Sequence, residues 1–387
     1  MTSVKHFHSA MPGAPVLSGT AGTLLAVLDA CLVTGFGLKT ADSVTVASGV
    51  ATVAFSTGHS FAPGTIALIE GATPAGLNGE KRILSTTANG VTFAATGIAD
   101  GAATGTISAK LAPAGWAKAF SGTNLAAYRP SDVTGTRMYL RVDDTGTQNA
   151  RVVSYEAMTD ISTGTNPIPL AAQVAGGLWW PKSATANATA RGWRVFADSR
   201  GVYVALEPNG GDCWQLMFAG DIASLKSGDA YGWLVTGNTA DMSNSSSVPQ
   251  GCMGYSGRSA RAGGYLARAH TGIGQAVEVL RVGSHHNGGT ADVYAGTAGY
   301  AFGGYPNGPN NGLLTGVLEL AESAGIRGSA PGLLHPLHNV SSSFATGAAV
   351  DGTNDLVGRR LMALRTQPAG VSAGGAVFID ITGPWSR

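Results

Sequence analysis

Short runs in which apolar and polar residues alternate recur along this chain of 387 residues, and glycine-rich turns separate them. Residues 138–142 and 202–206 are two such runs. A period of two places every second side chain on one face of a β-strand, whereas a helix requires a spacing of three or four. Further strand candidates are residues 151–156, 193–197, 214–218, 277–282, 314–320, 360–365 and 377–381. Because no helical patterns alternate with these runs, we predict an all-β fold with an antiparallel sandwich or barrel body.

The composition favours strands and turns over disorder. Glycine fills 57 positions, which is about twice its usual share of ~7%. Disordered chains are poor in apolar residues, yet 44% of this chain is hydrophobic and only 12% is charged. We therefore interpret the glycines as turns between short strands. A surface that faces copies of itself needs little charge, so the same composition suggests an assembly.

One helix is predicted near the N-terminus. Apolar residues recur at three- and four-residue spacing between Ala21 and Leu32, which gives a single apolar stripe. Ser18 or Thr20 is expected to cap the start of this helix, and Gly35 lies where a left-handed C-terminal cap would fall. The helix is expected to pack flat against a β body.

Composition also divides the chain into three segments. Residues 39–111, called the module below, contain no Trp, Tyr, Cys or Met and are expected to form six or so short strands. The module is predicted to be an inserted small β-sandwich or barrel domain. Residues 1–38 supply an N-terminal arm and the helix, and residues 112–387 form the main β body. A stretch rich in Gly, Pro, Ser and Thr at residues 162–181 is a candidate subdomain junction.

Charge and cysteine content argue against several classes of partner. The net charge is +1 and the basic residues are scattered, so neither nucleic acid nor an anionic membrane is an expected partner. The longest apolar run, residues 24–33, is too short for membrane insertion, and the N-terminus lacks the layout of a signal peptide. Cys31, Cys213 and Cys252 show no metal or redox spacing, so we expect free thiols in a protein made in the cytoplasm.

No catalytic, metal or cofactor site is predicted, and we expect the protein not to be an enzyme. A zinc site requires three or four ligands, and no histidine pair has a third ligand nearby. The pairs are His6 with His8, His285 with His286, and His335 with His338. The strained Gly-x-Ser-x-Gly turn of a serine hydrolase is missing. Asp143 and Asp144 are interpreted as a hairpin turn whose carboxylates accept backbone hydrogen bonds, not as a glycosidase pair.

Trp179 and Trp180 are the first candidate contact residues. Neighbours on a strand face opposite sides of the sheet, so one of the two rings is expected to point outward. Core packing is the ordinary interpretation of the tryptophans in the second half of the chain. The alternative is a patch that stacks on sugars or contacts another subunit, because Trp combines a large rigid area with a hydrogen-bond donor.

Met11, Pro12 and Pro15 are the other candidate contact residues. The two prolines hold the chain extended and remove backbone donors, which excludes a central strand. We predict that residues 2–19 form an assembly arm, disordered in a free monomer, that lies along a neighbouring subunit. The alternative is a segment that packs on its own body.

Two sets of segments resemble phage proteins. The sequence VATVAFSTGHSF at residues 50–61, with residues 69–72, 77–79 and 103–107, is similar to a small β-module common in phage tail and fibre proteins. The remainder resembles a family of uncharacterised structural proteins encoded in the tail regions of tailed phages (siphophages) and prophages. The segments that carry this resemblance are LDACLV (28–33), GW (115–116), FSGTN (120–124), RVDD (141–144), GRRLM (358–362) and FIDITGPW (378–385).

The resemblance implies a structural virion component at the tail tip or baseplate, located in the phage tail after synthesis in the host cytoplasm. The expected partners are copies of itself, in a trimer or a hexamer-related ring, and other tail or baseplate proteins. A receptor-binding tail protein that contacts a host glycan or pilus is the main alternative. A depolymerase and a head or collar protein are further alternatives.

Overall fold

The computed structural model describes residues 3–243, 252–256, 263–283, 293–296, 303–340, 343–366 and 375–387. This part of the chain consists mostly of antiparallel sheets, with one short helix near the N-terminus, which confirms the all-β prediction. Two single 3-10 turns, Ala75–Leu77 and Asn354–Leu356, complete the helical content of the described residues. The predicted pair His285 and His286 lies outside the described residues.

A seven-stranded antiparallel sheet forms the middle of the main body. In spatial order its strands are β1 (Lys5–His8), β16 (Gly192–Ala197), β17 (Gly201–Glu207), β18 (Gln215–Asp221), β20 (Trp233–Thr236), β22 (Gly264–Leu266) and β23 (Val277–Glu278). Strands β18 and β20 are buried throughout, and β17 is buried except at its last residue. An antiparallel sheet commonly leaves one face in water. This central sheet is covered on both faces instead.

The first covering layer is an antiparallel sheet that follows the module in the chain. Its strands are β10 (Trp116–Gly122), β11 (Leu125–Pro130), β12 (Tyr139–Asp143), β13 (Asn149–Met158), β14 (Gly164–Ile168) and β15 (Leu178–Pro181). Strands β14 and β15 pair with the two halves of β13. The stretch 162–181 therefore completes this layer, and the chain returns to the central sheet after Pro181.

The second covering layer is built from the C-terminal third of the chain. Its strands are β24 (Leu280–Gly283), β26 (Thr315–Glu322), β27 (Gly325–Pro336), β30 (Gly375–Asp380), β29 (Arg360–Thr366) and β28 (Ala349–Asp351), with β19 (Ala223–Ser224) paired to β27. A separate pair joins β21 (Tyr255–Ser256) and β25 (Val293–Tyr294). Side chains on the two faces of the central sheet belong to two separate hydrophobic cores. Val204 lies in the core shared with the first layer, and Phe218 lies in the core shared with the second. The body thus has three layers.

The module is a sheet of its own with eight strands, two more than expected. They are β2 (Phe36–Thr40), β3 (Ser43–Ala47), β4 (Val50–Ala54), β5 (Ile66–Glu70), β6 (Gly79–Thr87), β7 (Gly90–Ala94), β8 (Gly101–Ala102) and β9 (Ser108–Leu111). Its first strand begins at Phe36, inside the segment assigned to the arm, and Phe36 pairs with Leu111. The two ends of the module therefore lie side by side, as an insertion requires.

The module docks onto the body through side chains. Arg82 donates hydrogen bonds to the carbonyl oxygens of Ile381 and Thr382, at 3.2 and 2.7 Å. Lys5 of the central sheet forms an ion pair of 2.7 Å with Glu80 of the module. Within the described ranges, no strand of the module pairs with a strand of the body.

The predicted helix is present as an α-helix, α1 (Thr23–Leu28), which continues into a π-helical turn (Asp29–Thr34). Its apolar stripe is buried, as expected. Gly35, with a φ of 70°, ends it at the predicted position. Only glycine adopts such a conformation without strain.

The predicted N-terminal cap of this helix is wrong. The side chains of Ser18 and Thr20 do not cap it; the carboxylate of Asp144 accepts hydrogen bonds from the backbone N–H groups of Leu24 and Leu25, at 2.8 and 3.3 Å. Asp144 also forms a short ion pair with Lys182, and both side chains are fully buried. One carboxylate thus satisfies the helix start and a buried ammonium group together.

We expect Asp144→Ala to destabilise the fold by about 3–5 kcal/mol, because it leaves the Lys182 ammonium buried without its partner. Equilibrium unfolding in urea would measure the loss. The double variant Asp144→Ala/Lys182→Met removes the stranded charge and should recover part of the stability.

The matched control is the exposed ion pair between Asp351 and Arg360, at 2.6 Å. Asp351→Ala should change the free energy of unfolding by less than about 1 kcal/mol. Equal effects of Asp144→Ala and Asp351→Ala would contradict a structural role of the buried pair.

Candidate functional site

The N-terminal segment folds onto its own body, which corrects the expectation of an arm that is disordered in the monomer. Strand β1 pairs with β16 at the edge of the central sheet. Met11 is buried, the indole N–H of Trp193 donates to the carbonyl oxygen of Pro15 at 2.9 Å, and Leu17 pairs with Arg191. Apolar side chains on both sides of the prolines, Met11 and Leu17, are buried in the core. The free energy gained by burying them exceeds the conformational entropy that the segment loses when it becomes ordered.

The same segment still presents apolar groups to solvent. Pro12 and Val16 are exposed, and Pro12 lies against Gly37, next to the exposed Leu38. Pro12, Val16 and Leu38 are called the N-terminal surface below. Of the predicted contact residues in this segment, Met11 is buried, Pro15 is half-buried and Pro12 is available to a partner.

Two histidines of β1, His6 buried and His8 half-buried, lie close to arginine side chains. His6 and His8 lie on the same face of the strand, and Arg194 is directly opposite His8 on β16. Burial, and then electrostatic interactions with His8, Arg82 and Arg194, lower the pKa of His6 to about 3. Burial and Arg194 lower the pKa of His8 to about 4. Both imidazoles are therefore neutral near pH 7.

The two adjacent tryptophans face opposite sides of β15, as predicted. Trp180 is fully buried, and its indole N–H donates to the carbonyl oxygen of Thr236 at 2.7 Å. Trp179 is half-buried and faces outward, with the guanidinium of Arg151 at 3.8 Å from its ring centroid. Trp180 thus anchors the strand that presents Trp179.

Trp179 lies in a groove on the outer face of the first layer. Asp143, Arg151 and Trp179 are direct partners across β12, β13 and β15, so their side chains form one row. The turn between β12 and β13, residues 144–148, forms the rim, and the groove has a volume of about 290 Å³. We call it the Trp179 groove. It is lined by Asp143, Thr145, Gly146, Thr147, Gln148, Asn149, Arg151 and Trp179.

The sequence predicts an outward-facing ring in the pair Trp179 and Trp180, but it does not predict Arg151 and Asn149 as neighbours of Trp179. A pattern of alternation says which face a residue occupies, but not which residue of another strand lies opposite. The hairpin predicted at Asp143 and Asp144 fixes the register of β12 with β13, and it was the one signal that could have placed Arg151 beside Asp143.

A cavity of about 580 Å³ lies where the central sheet meets the loop 225–230 and the C-terminus. The arginines that line it, Arg200 and Arg387, are each paired with a carboxylate. Arg200 donates to Asp221 at 2.9 Å, and Arg387 forms an ion pair of 2.5 Å with Asp198. With its carboxylates neutralised in this way, the cavity has no free base for acid–base chemistry among these pairs.

A buried charge network borders the same cavity. Arg327 on β27 holds Asp229 at 2.7 Å and Glu322 at 3.1 Å. Burial alone would raise the pKa of Asp229, but hydrogen bonds from Arg327 and Ser224 outweigh it and keep that pKa below its usual value. The network joins the cavity loop to the second layer, which is a structural role.

The remaining titratable candidates are engaged individually. His335 hydrogen-bonds with the carbonyl oxygen of Met253, and His338 accepts a hydrogen bond from the backbone N–H of Leu314 at 2.6 Å. Burial lowers the pKa of His338, so its ring is a neutral acceptor. Across the described residues, no three His, Cys, Asp or Glu side chains are grouped closely enough to hold a metal ion. Cys31, Cys213 and Cys252 are buried free thiols, as predicted.

In the part of the chain that the structure describes, no helix has the length and apolar character needed to cross a membrane. No protein-family model matches this chain, and a search of curated proteins found no match.

The buried histidines predict a pH dependence of stability. The pKa of His6 is about 3 in the folded chain and 6.5 when unperturbed, so below pH 6.5 the unfolded chain binds a proton that the folded chain does not. Protonation of His6 in the unfolded chain therefore lowers the free energy of unfolding as the pH falls from 6.5 toward 3, by about 1.4 kcal/mol per pH unit. Above pH 6.5 this loss is absent.

The variant His6→Gln removes this titration. The loss of stability between pH 7 and pH 5, measured by urea unfolding, should be smaller by about 2 kcal/mol in the variant than in the wild-type chain. Identical losses in the two proteins would contradict the neutral, buried state of His6.

Proposed function

We propose that this chain is a structural component of a tailed-phage particle, at the tail tip or baseplate, and that it assembles with copies of itself into a closed ring. The segment resemblances described above support the phage assignment, and the all-β fold with an inserted module agrees with them. The observation that carries the assembly proposal is the exposure of large apolar side chains on a chain in which only 12% of residues are charged.

Among the exposed apolar side chains, two pairs on different elements are the proposed contacts between copies. On the N-terminal surface, Val16 is 61% exposed and Leu38 is 64% exposed. On the edge between β19 and β27, Leu225 is 75% exposed and Ile326 is 53% exposed. These two residues line a groove of about 320 Å³, and we call them the β27 surface. Apolar side chains in water are stabilised when a partner covers them, so these residues are candidate contacts with a neighbouring copy.

A ring requires two different surfaces on each subunit, because each copy contacts one neighbour head to tail on either side. A two-fold dimer uses a single surface twice. In the proposed ring, the N-terminal surface of one copy packs against the β27 surface of the next. A trimer and a hexamer-related ring both satisfy this arrangement.

Charge substitutions test the two surfaces separately. The variant Val16→Glu/Leu38→Glu and the variant Leu225→Glu/Ile326→Glu should each be monomeric by size-exclusion chromatography with light scattering, whereas the wild-type chain forms a ring. An equimolar mixture of the two variants should form dimers, since one intact contact remains between them. Buried apolar contacts cannot accommodate an unpaired carboxylate, which is the physical reason for the loss.

The control is Leu84→Glu, because Leu84 is also exposed but lies on β6 of the module. It should assemble like the wild-type chain. A monomeric wild-type protein at micromolar concentration, or a mixture of the two variants that stays monomeric, would contradict the ring.

In electron micrographs of the phage that encodes this chain, an antibody against the chain should label the distal end of the tail. Purified particles that do not contain the chain would contradict the virion role.

A further inference from the structure

A lysine and an aspartate side chain meet in a part of the core that solvent does not reach. Nζ of Lys182 contacts Oδ1 of Asp144, and neither side chain has any exposed surface. Asp144 directly follows β12 and Lys182 directly follows β15, so the contact lies between the ends of two strands of the first layer. A primary amine held against a carboxyl group is the pair of reactants from which an amide forms with loss of water.

Burial favours the uncharged forms of both groups. It raises the pKa of Asp144 and lowers the pKa of Lys182, and the attraction between the two charges opposes these shifts without cancelling them. An uncharged amine is a nucleophile, whereas an ammonium group has no free electron pair. A proton that moves from Nζ to Oδ1 along the contact therefore converts the ion pair into an amine and a carboxylic acid, which can react.

The second oxygen of the carboxyl group lies where a developing negative charge is stabilised. Oδ2 of Asp144 accepts hydrogen bonds from the backbone N–H groups of Leu24 and Leu25, at 2.8 and 3.3 Å. Backbone donors that are already in position in a water-excluded site stabilise the oxyanion of an acyl-transfer intermediate. Attack on Cγ of Asp144 places the negative charge on Oδ2, which already has both donors.

The hydrogen bonds around the pair would all be kept by an amide, apart from the contact that becomes the bond. Nζ of Lys182 donates to the carbonyl oxygen of Thr20 at 2.8 Å, and the single N–H of an amide can make this bond. Oδ2 would keep its two donors as the amide oxygen. Among the described residues, Oδ1 accepts from Lys182 alone, and it is the oxygen that would leave. Amide formation thus removes two buried charges and leaves no donor or acceptor unsatisfied.

We propose that Lys182 and Asp144 form an intramolecular isopeptide bond once the chain has folded. The free electron pair of Nζ attacks Cγ, a C–N bond forms, and the electron pair of the C=O bond moves onto Oδ2. Nζ then passes a second proton to Oδ1, the bond between Cγ and Oδ1 breaks, and Oδ1 leaves as water while the double bond to Oδ2 is restored. No oxidant, reductant or other reactant takes part.

The fold supplies what this reaction lacks in solution. Well-oriented intramolecular reactions reach effective molarities of about 10⁵–10⁸ M, and the contact between Nζ and Oδ1 fixes the two groups together. Exclusion of water also protects the bond from hydrolysis. The bond closes a loop of chain that contains β13, β14 and β15, and so restricts the unfolded chain. This inference goes beyond the structural role proposed above and does not depend on assembly into a ring.

Mass spectrometry of the purified full chain, kept folded for a day and then denatured, tests the proposal. The mass should be lower than that of the sequence by one molecule of water. Asp144→Ala and Lys182→Met should each have the full mass of their sequences. Lys118→Met is the matched control, because Lys118 also forms an ion pair with an aspartate, Asp29, at 2.8 Å, but both of these side chains are partly exposed to water. It should show the same loss of water as the wild-type chain.

Tryptic peptides locate the bond. Trypsin does not cleave after a lysine whose Nζ is acylated, so residues 142–151 and 152–191 should be recovered as one branched peptide. Fragmentation of this peptide should find two N-termini, Val142 and Val152, whereas a linear peptide with missed cleavages has one. The branched peptide also distinguishes the bond from loss of water at another aspartate.

Two results would overturn the proposal. The wild-type chain has the full mass of its sequence, or residues 142–151 and 152–182 are recovered as separate linear peptides. If a variant fails to fold, the two measurements on the wild-type chain decide alone. A monomeric protein that contains the bond refutes the ring and leaves the isopeptide bond standing; a ring whose subunits have the full mass does the reverse.

Discussion

The central sheet has no face in water, and the rest of the architecture depends on this constraint. Strands β17, β18 and β20 expose almost nothing, so each face of the sheet must be covered by another layer before the chain is stable. An antiparallel sheet commonly has one face in water, and burial of both faces here uses many of the hydrophobic residues that make up 44% of the chain. The layers that satisfy it come from separate parts of the sequence. Surfaces available to partners therefore lie on the outer layers, the module and the N-terminal segment.

The buried pair of Asp144 and Lys182 ties three of these parts together. Its carboxylate caps α1, its ammonium group donates to the carbonyl oxygen of Thr20, and both residues flank the strands that border the Trp179 groove. A buried ion pair adds little net stability over an apolar pair of the same size. Its contribution here is geometric, because only one arrangement of helix, turn and strand satisfies every donor and acceptor around it. The rigidity of the groove rim follows from that arrangement.

The sequence predicts strands and helices from their local patterns, but it does not predict contacts between residues that are far apart in the chain. Period-two alternation located the strands, and the opposite orientations of Trp179 and Trp180 followed from strand geometry alone. The helix was found, but its cap was not, because Asp144 lies 120 residues from Leu24 and no local pattern connects them. The docked N-terminal strand was missed because His6 and its neighbours look like a polar tail; only burial against β16 makes them part of the sheet. The Trp179 groove required the register of three strands, which alternation does not specify.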